Sequence, residues 1–150
     1  MSNYSNLFQI IKMRVCRNNK ESDSMLDMRN DHRSKQVWHR IEQIFILECL
    51  LDEYRKKHGS LHSPLDGKKA LHHMILNKTN WPLSEIKALS FNDCILIITE
   101  YLKKENIHPD AQDFLNRMNL PTNSYPLDDF SEEDWAPKEN APFLQKDSEI

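Results

Sequence analysis

The chain has 150 residues and a mass of 17.8 kDa, enough for one compact domain with an appended segment and too little for two large ones. Two glycines against seven prolines, with a mean hydropathy of -0.72, exclude a Gly-rich β-sandwich, a phosphate-cradling α/β fold and a membrane-spanning protein. Net charge is only -3, but residues 1–79 carry 14 Lys and Arg against 9 Asp and Glu, while residues 80–150 carry 6 against 14, so the halves stand at +5 and -8.

The N-terminal region opens on an apolar patch, Leu7, Phe8, Ile10 and Ile11, followed by Lys12 and Arg14. That order of apolar and basic residues is the reverse of a secretory leader, and the expected location is the cytoplasm. A short helix or detachable peptide is expected here. Residues 17–35 are so polar that they bury too little surface to offset the entropy of ordering, so residues 1–33 are expected to form a flexible basic arm.

From Val37 the pattern changes. Val37, Ile41, Ile44, Leu47 or Glu48, Leu51 and Tyr54 recur at steps of three and four, widened by Trp38, Phe45, Ile46 and Leu50, which predicts a long helix from Ser34 to Lys57. Ser34 is its expected N-cap, and Arg55, Lys56 and Lys57 suit its negative end before Gly59. Ser63 and Pro64 predict a second helix running to Asn77. A short helix spans Leu83 to Leu89, and Ser90 with Asp93 has the spacing of a capping box ahead of a buried helix from Phe91 to Glu105. Its β-branched run, Ile95 to Ile98 with Leu96, leaves a strand as the minority reading. A last helix is expected from Pro109 to Met118. The fold class is thus all-α, a small irregular bundle over residues 34–120.

Residues 121–150 contain Pro121, Pro126, Pro137 and Pro142, show no helical period and carry 2 basic residues against 8 acidic ones. Disorder is the default for such a segment. Yet Tyr125, Phe130, Trp135 and Phe143 are interleaved with Asp128, Asp129, Glu132 and Glu133. Large rings among acids suit docking on a basic, grooved surface, where the rings fill pockets and the carboxylates steer the encounter. The receiving surface is expected to belong to another protein, a second copy, or the basic half of this chain.

Chemical motifs are weak by comparison. Cys16, Cys49 and Cys94 form no close pair, and Cys49 and Cys94 sit in apolar runs that disfavour a thiolate; Cys16, between Arg14 and Arg17, has the better electrostatics but no histidine partner. Gly59 separates His58 from His62, and the adjacent His72 and His73 diverge by about 100° on a helix, so no metal site is expected. No Gly-x-Ser-x-Gly occurs, no cofactor is implied, and an enzyme is not expected.

The reading that follows is a non-enzymatic cytoplasmic regulatory or adaptor protein that binds a protein partner through its acidic aromatic tail, away from any membrane. The alternative is a small DNA-binding regulator using the basic half: Arg14, Arg17, Arg33, Lys35, Lys56, Lys57, Lys68 and Lys69, with Arg29 and Arg40 nearby. Residues 69–89 also resemble a helix-turn-helix in outline, although the would-be reading helix is brief and carries Glu85.

Overall fold

The spine is α2 (His32–His58), whose 27 residues extend about 40 Å. Eight consecutive residues, Ile44 to Leu51, are buried. A helix that hides its whole circumference must be enclosed by its neighbours, and the rest of the chain wraps it. These coordinates are a computed structural model that describes residues 3–27 and 30–144; Arg29 and residues 145–150, assigned above to the basic arm and the tail, lie outside the described residues. Among the described residues there are seven α-helices and no strand, the all-α architecture expected from the sequence.

The N-terminal region corrects the expectation of a mobile arm. Tyr4–Asn18 is a 15-residue helix, α1, capped where the Asn3 side chain accepts from the Asn6 amide. Leu7, Phe8, Ile11 and Val15 share one buried face. Phe8 stacks on Trp38 at 6.2 Å and meets Phe45 edge-on at 5.6 Å, so α1 supplies core rather than a tether. The polar connection is tied down as well: Leu26 is buried in a 3-10 turn (Asp23–Asp27), and its carbonyl accepts from the Trp38 indole at 3.1 Å.

Asp31, not Ser34, caps α2, accepting from the Ser34 amide at 3.1 Å; its carboxylate also suits the positive end of the helix. At the other end a Cβ on Gly59 would stand 2.6 Å from the Arg55 carbonyl, so the close approach of the departing chain explains this glycine. The second helix, α3 (Lys69–Thr79), begins later than Pro64 predicts. Leu65 and Gly67 hold φ of 61° and 58°, and an α-helix cannot run through left-handed residues. Arg55 fixes that loop by donating to the Leu65 and Gly67 carbonyls at 2.8 and 3.0 Å.

Asn80, left-handed at φ 60°, ends α3 and leads to the short α4 (Leu83–Lys87). Ser90 caps α5 (Phe91–Ile98) as its spacing predicts, accepting from the Asp93 amide at 3.1 Å. The apolar run is helical, but α5 stops before Glu105, tightening into a 3-10 turn at Thr99–Tyr101. His108 caps α6 (Pro109–Arg117), whose Phe114 packs on Phe8 and Phe45. The tail then runs back over α2 and α1, forming a 3-10 turn (Glu132–Asp134) and a four-residue helix, α7 (Pro137–Asn140), before the Phe143 carbonyl accepts from the Asn3 amide at 2.8 Å.

Phe8→Ala tests the docking of α1. Removing a buried ring shared by Trp38, Phe45 and Phe114 is expected to cost about 3–5 kcal/mol in urea unfolding; an unchanged midpoint would mean that α1 is not part of the core.

Candidate functional site

The tail meets the helical body through charge. Arg40 is 1% exposed and Asp134 is 0% exposed, and they pair at 3.0 Å. Asp134 also accepts from Asn19 on both carboxylate oxygens, at 3.0 and 3.1 Å, and from Asn18 at 3.1 Å. Arg40 uses its remaining donors on Gln43 at 2.8 Å and the Ser131 carbonyl at 2.9 Å. Burial lowers the proton affinity of the Arg40 guanidinium, and Asp134 opposes that effect. Asn19 closes the set: its side-chain oxygen accepts from the Ser131 amide at 2.9 Å.

Around this pair the rings face inward. Phe130 lies under the Arg33 guanidinium at 4.4 Å, and Arg33 pairs with Glu21 at 2.8 Å and Asp129 at 3.4 Å. Trp135 stacks on Phe91 at 5.3 Å and donates to Glu48 at 2.8 Å. Asn140 donates to the same Glu48 oxygen, and Arg14, buried in α1, pairs with Glu139 at 3.0 Å. Tyr125, half-buried, sits between His32 and His39 at 5.5 and 5.9 Å. Glu132 takes up the free amides of Phe91 and Asn92 at the start of α5.

The expected contact residues therefore divide. Phe130 and Trp135, expected to enter a partner, are buried in the chain's own core and in this arrangement present nothing to one; Phe143 is half-buried. The physical reason is that α1 and α2 themselves supply the basic, grooved surface, through Arg14, Arg33 and Arg40. Asp128, Asp129, Glu132 and Glu133 are exposed. Docking the rings thus leaves an acidic rim at fixed positions facing solvent.

The basic residues divide in the same way. Arg14 is buried and Arg33 is engaged by acids, while Lys56 pairs with Asp52 and Glu53 and Lys69 lies 3.7 Å from Asp66. Arg17, Lys57 and Lys68 are exposed and Lys35 is half-buried. They lie on α1, on both ends of α2 and at the start of α3 rather than along one reading helix. With five residues, α4 is too short to lie across a groove as a recognition helix.

Other reactive groups are held quiet. All three cysteines are free and buried, Cys16 included despite its place between Arg14 and Arg17. Burial, aided by Asp23, pushes the Cys16 thiol up to about 11; burial with Asp93 does the same for Cys94, and Cys49 is raised well above its ordinary value. Among the described residues no group of three or more His, Cys, Asp or Glu side chains gathers in a form suited to a metal ion. His73 is instead bonded through Nδ1 to the Tyr54 hydroxyl at 2.7 Å, with Asn77 donating to that hydroxyl at 2.9 Å and His58 stacked on the Tyr54 ring. No helix of the described residues is long and apolar enough to cross a membrane.

Sequence reasoning did not identify Asn18, Asn19 or Glu48 as determinants of the tail's position. Glu48 interrupts the apolar stripe of α2, and that interruption was the available signal. Burial pushes its carboxyl above the usual range, against the hydrogen bonds of Asn140 and Trp135 and the charges of Arg55 and Arg14. A carboxyl that holds its proton more tightly folded than unfolded makes stability fall as pH rises from about 4 through the raised folded value. Glu48→Gln keeps an oxygen for Trp135 and Asn140 and removes this titration. Urea midpoints over a pH series are expected to show a flatter profile for the variant in that window and no loss of stability at neutral pH; an unchanged slope would contradict the assignment.

Comparison with known proteins gives no further constraint: no protein-family model, no curated protein and no solved structure matches the chain.

Proposed function

We propose that the chain is a non-enzymatic regulatory or adaptor protein of the cytoplasm, and that it binds a protein partner with a basic surface through the acidic rim of its docked tail. The observation that carries the reading is the opposite orientation of rings and acids in one segment. Phe130 and Trp135 anchor inward, while Asp128, Asp129, Glu132 and Glu133 remain in solvent. A tail fixed in this way presents its charges without the ordering cost that a disordered acidic segment carries into binding. Exposed charge of one sign raises the encounter rate with a partner of the other sign and makes the association salt-dependent. Three free, buried cysteines suit a reducing compartment.

The nucleic-acid alternative is weakened by the same packing, because the tail occupies Arg14, Arg33 and Arg40. Among the described residues of the basic half, Arg17 and scattered lysines are left for phosphates.

A single variant separates the two. Asp128→Asn, Asp129→Asn and Glu133→Gln together remove three rim charges and leave the Asp134 lock and the Glu132 cap intact; they also give up the Arg33–Asp129 pair, which is exposed at its acidic end and so adds little to stability. Wild-type protein, used as bait in host extract, is expected to retain a basic protein that dissociates as salt is raised, and the triple variant to bind it about tenfold more weakly or worse with an unchanged unfolding midpoint. Equal retention by the variant would remove the rim as contact element. Binding to generic duplex DNA that survives the triple substitution and is lost on replacing Lys57, Lys68 and Lys69 would instead favour the nucleic-acid reading.

A further inference from the structure

Tyr125 enters the fold between two imidazoles, its ring edge-on to His32 at 5.5 Å and to His39 at 5.9 Å. The two histidines differ in their surroundings. His32 is exposed at the first turn of α2, where water can solvate its charged form. His39 is half-buried, and its Nδ1 is shut off from solvent with no hydrogen-bond partner among the described residues. With the ring hydrogen on Nε2, that nitrogen is an acceptor without a donor; a second proton would make it a charged donor without an acceptor, which costs more.

The root of the tail packs on this ring and is held by little else. Pro121, Thr122 and Ser124 share a cavity wall with His39, and Tyr125 meets its edge. Among the described residues, 121–126 make no backbone–backbone hydrogen bond; Gln36 donating to the Pro126 carbonyl at 2.8 Å is the tie to α2. A segment so lightly bonded can open without the rest of the fold.

Nearby charges do not offset the cost of protonating His39. One turn away on α2 stand Lys35 and Glu42, and across the cavity is Lys104, whose Nζ lies 3.9 Å from the Glu42 carboxylate and engages it. Residues 121–126 carry no charge, and beyond them Asp129 is paired with Arg33. Burial therefore lowers the proton affinity of His39. The sign follows: the open segment takes up a proton that the closed one refuses. Each pH unit below about 6.5 multiplies the open population about tenfold, until the closed form itself protonates.

We propose that His39 is a pH-sensitive latch on the root of the tail, whose protonation releases residues 121–127 from α2 while residues 130–144 stay docked through Asp134 and Arg40. Asp128 and Asp129 follow the released segment directly, so acid would also loosen one end of the acidic rim. That consequence rests on the rim reading; the latch does not, and its test needs no partner.

The test is NMR of the full chain from about pH 7.5 to about pH 5, following the His39 ring signals and the Overhauser contact between the His39 and Tyr125 rings. The contact is expected to be lost in the same step that protonates His39, with the amides of Thr122 to Tyr125 gaining fast motion and those of Ser131 and Asn140 keeping their exchange protection. His39→Phe keeps a ring against Tyr125 and cannot titrate, so its contact is expected to persist to about pH 5. His32→Gln is expected to respond as the wild type does. Protonation of His39 with the contact intact, the same acid-induced loss in His39→Phe, a response abolished by His32→Gln, or loss of Ser131 protection in the same step would overturn the proposal. The first and last of these are read on the wild-type chain, whatever the stability of the variants.

Discussion

Arg40 and Asp134 lie 94 positions apart in the chain and meet in its interior, and the arrangement of everything between α1 and the tail depends on that meeting. A buried ion pair contributes little net stability unless its remaining donors and acceptors are also met, because both charges lose their water. Here they are met. Asn18 and Asn19 complete Asp134, and Gln43 and the Ser131 carbonyl complete Arg40. Such a set favours one register: a slip of the tail by a single residue would leave two charges buried without partners. Specificity of placement is therefore the principal work of the pair, while Phe130, Trp135 and Leu144 supply the burial that drives docking.

This constraint also explains why the charge of the chain is segregated along its length. The basic half and the acidic end neutralise one another where they touch, at Arg14 with Glu139, Arg33 with Asp129 and Arg40 with Asp134. The tail acids left over, Asp128, Glu132 and Glu133, lie on the outer side of that segment. A surface of this kind is the consequence of intramolecular docking rather than a separate feature. It places the proposed contact rim on a stiff support made of α1 and α2.

Much of the helical core is legible from local pattern. The three-and-four spacing from Val37 to Tyr54 and the Ser90–Asp93 cap each rest on residues within a few positions of one another, and the structure contains both. What local pattern misses is long-range. The buried face of α1 is present in the spacing of Leu7, Ile11 and Val15, but its value depends on Trp38, Phe45 and Phe114, which only the fold brings near. The late start of α3 depends on Arg55 reaching across the loop, and the early end of α5 on a chain that turns at Thr99, whose hydroxyl bonds back to the Ile95 carbonyl. The acids and rings of the tail pointed to a basic receiving groove; that the groove is the chain's own was one of the alternatives, and distinguishing it required knowing that Asn19 and Arg40 face the same point.

The central claim is that residues 130–144 belong to the cooperative core. Native-state amide hydrogen exchange reads this directly, because an amide released only by global opening exchanges with the free energy of unfolding. The amides of Ser131, Asn140 and Leu144, each hydrogen-bonded in the structure, are expected to be protected to within about 1 kcal/mol of those in the centre of α2. Exchange of these three at the rate of an unstructured peptide, with α2 still protected, would contradict the account.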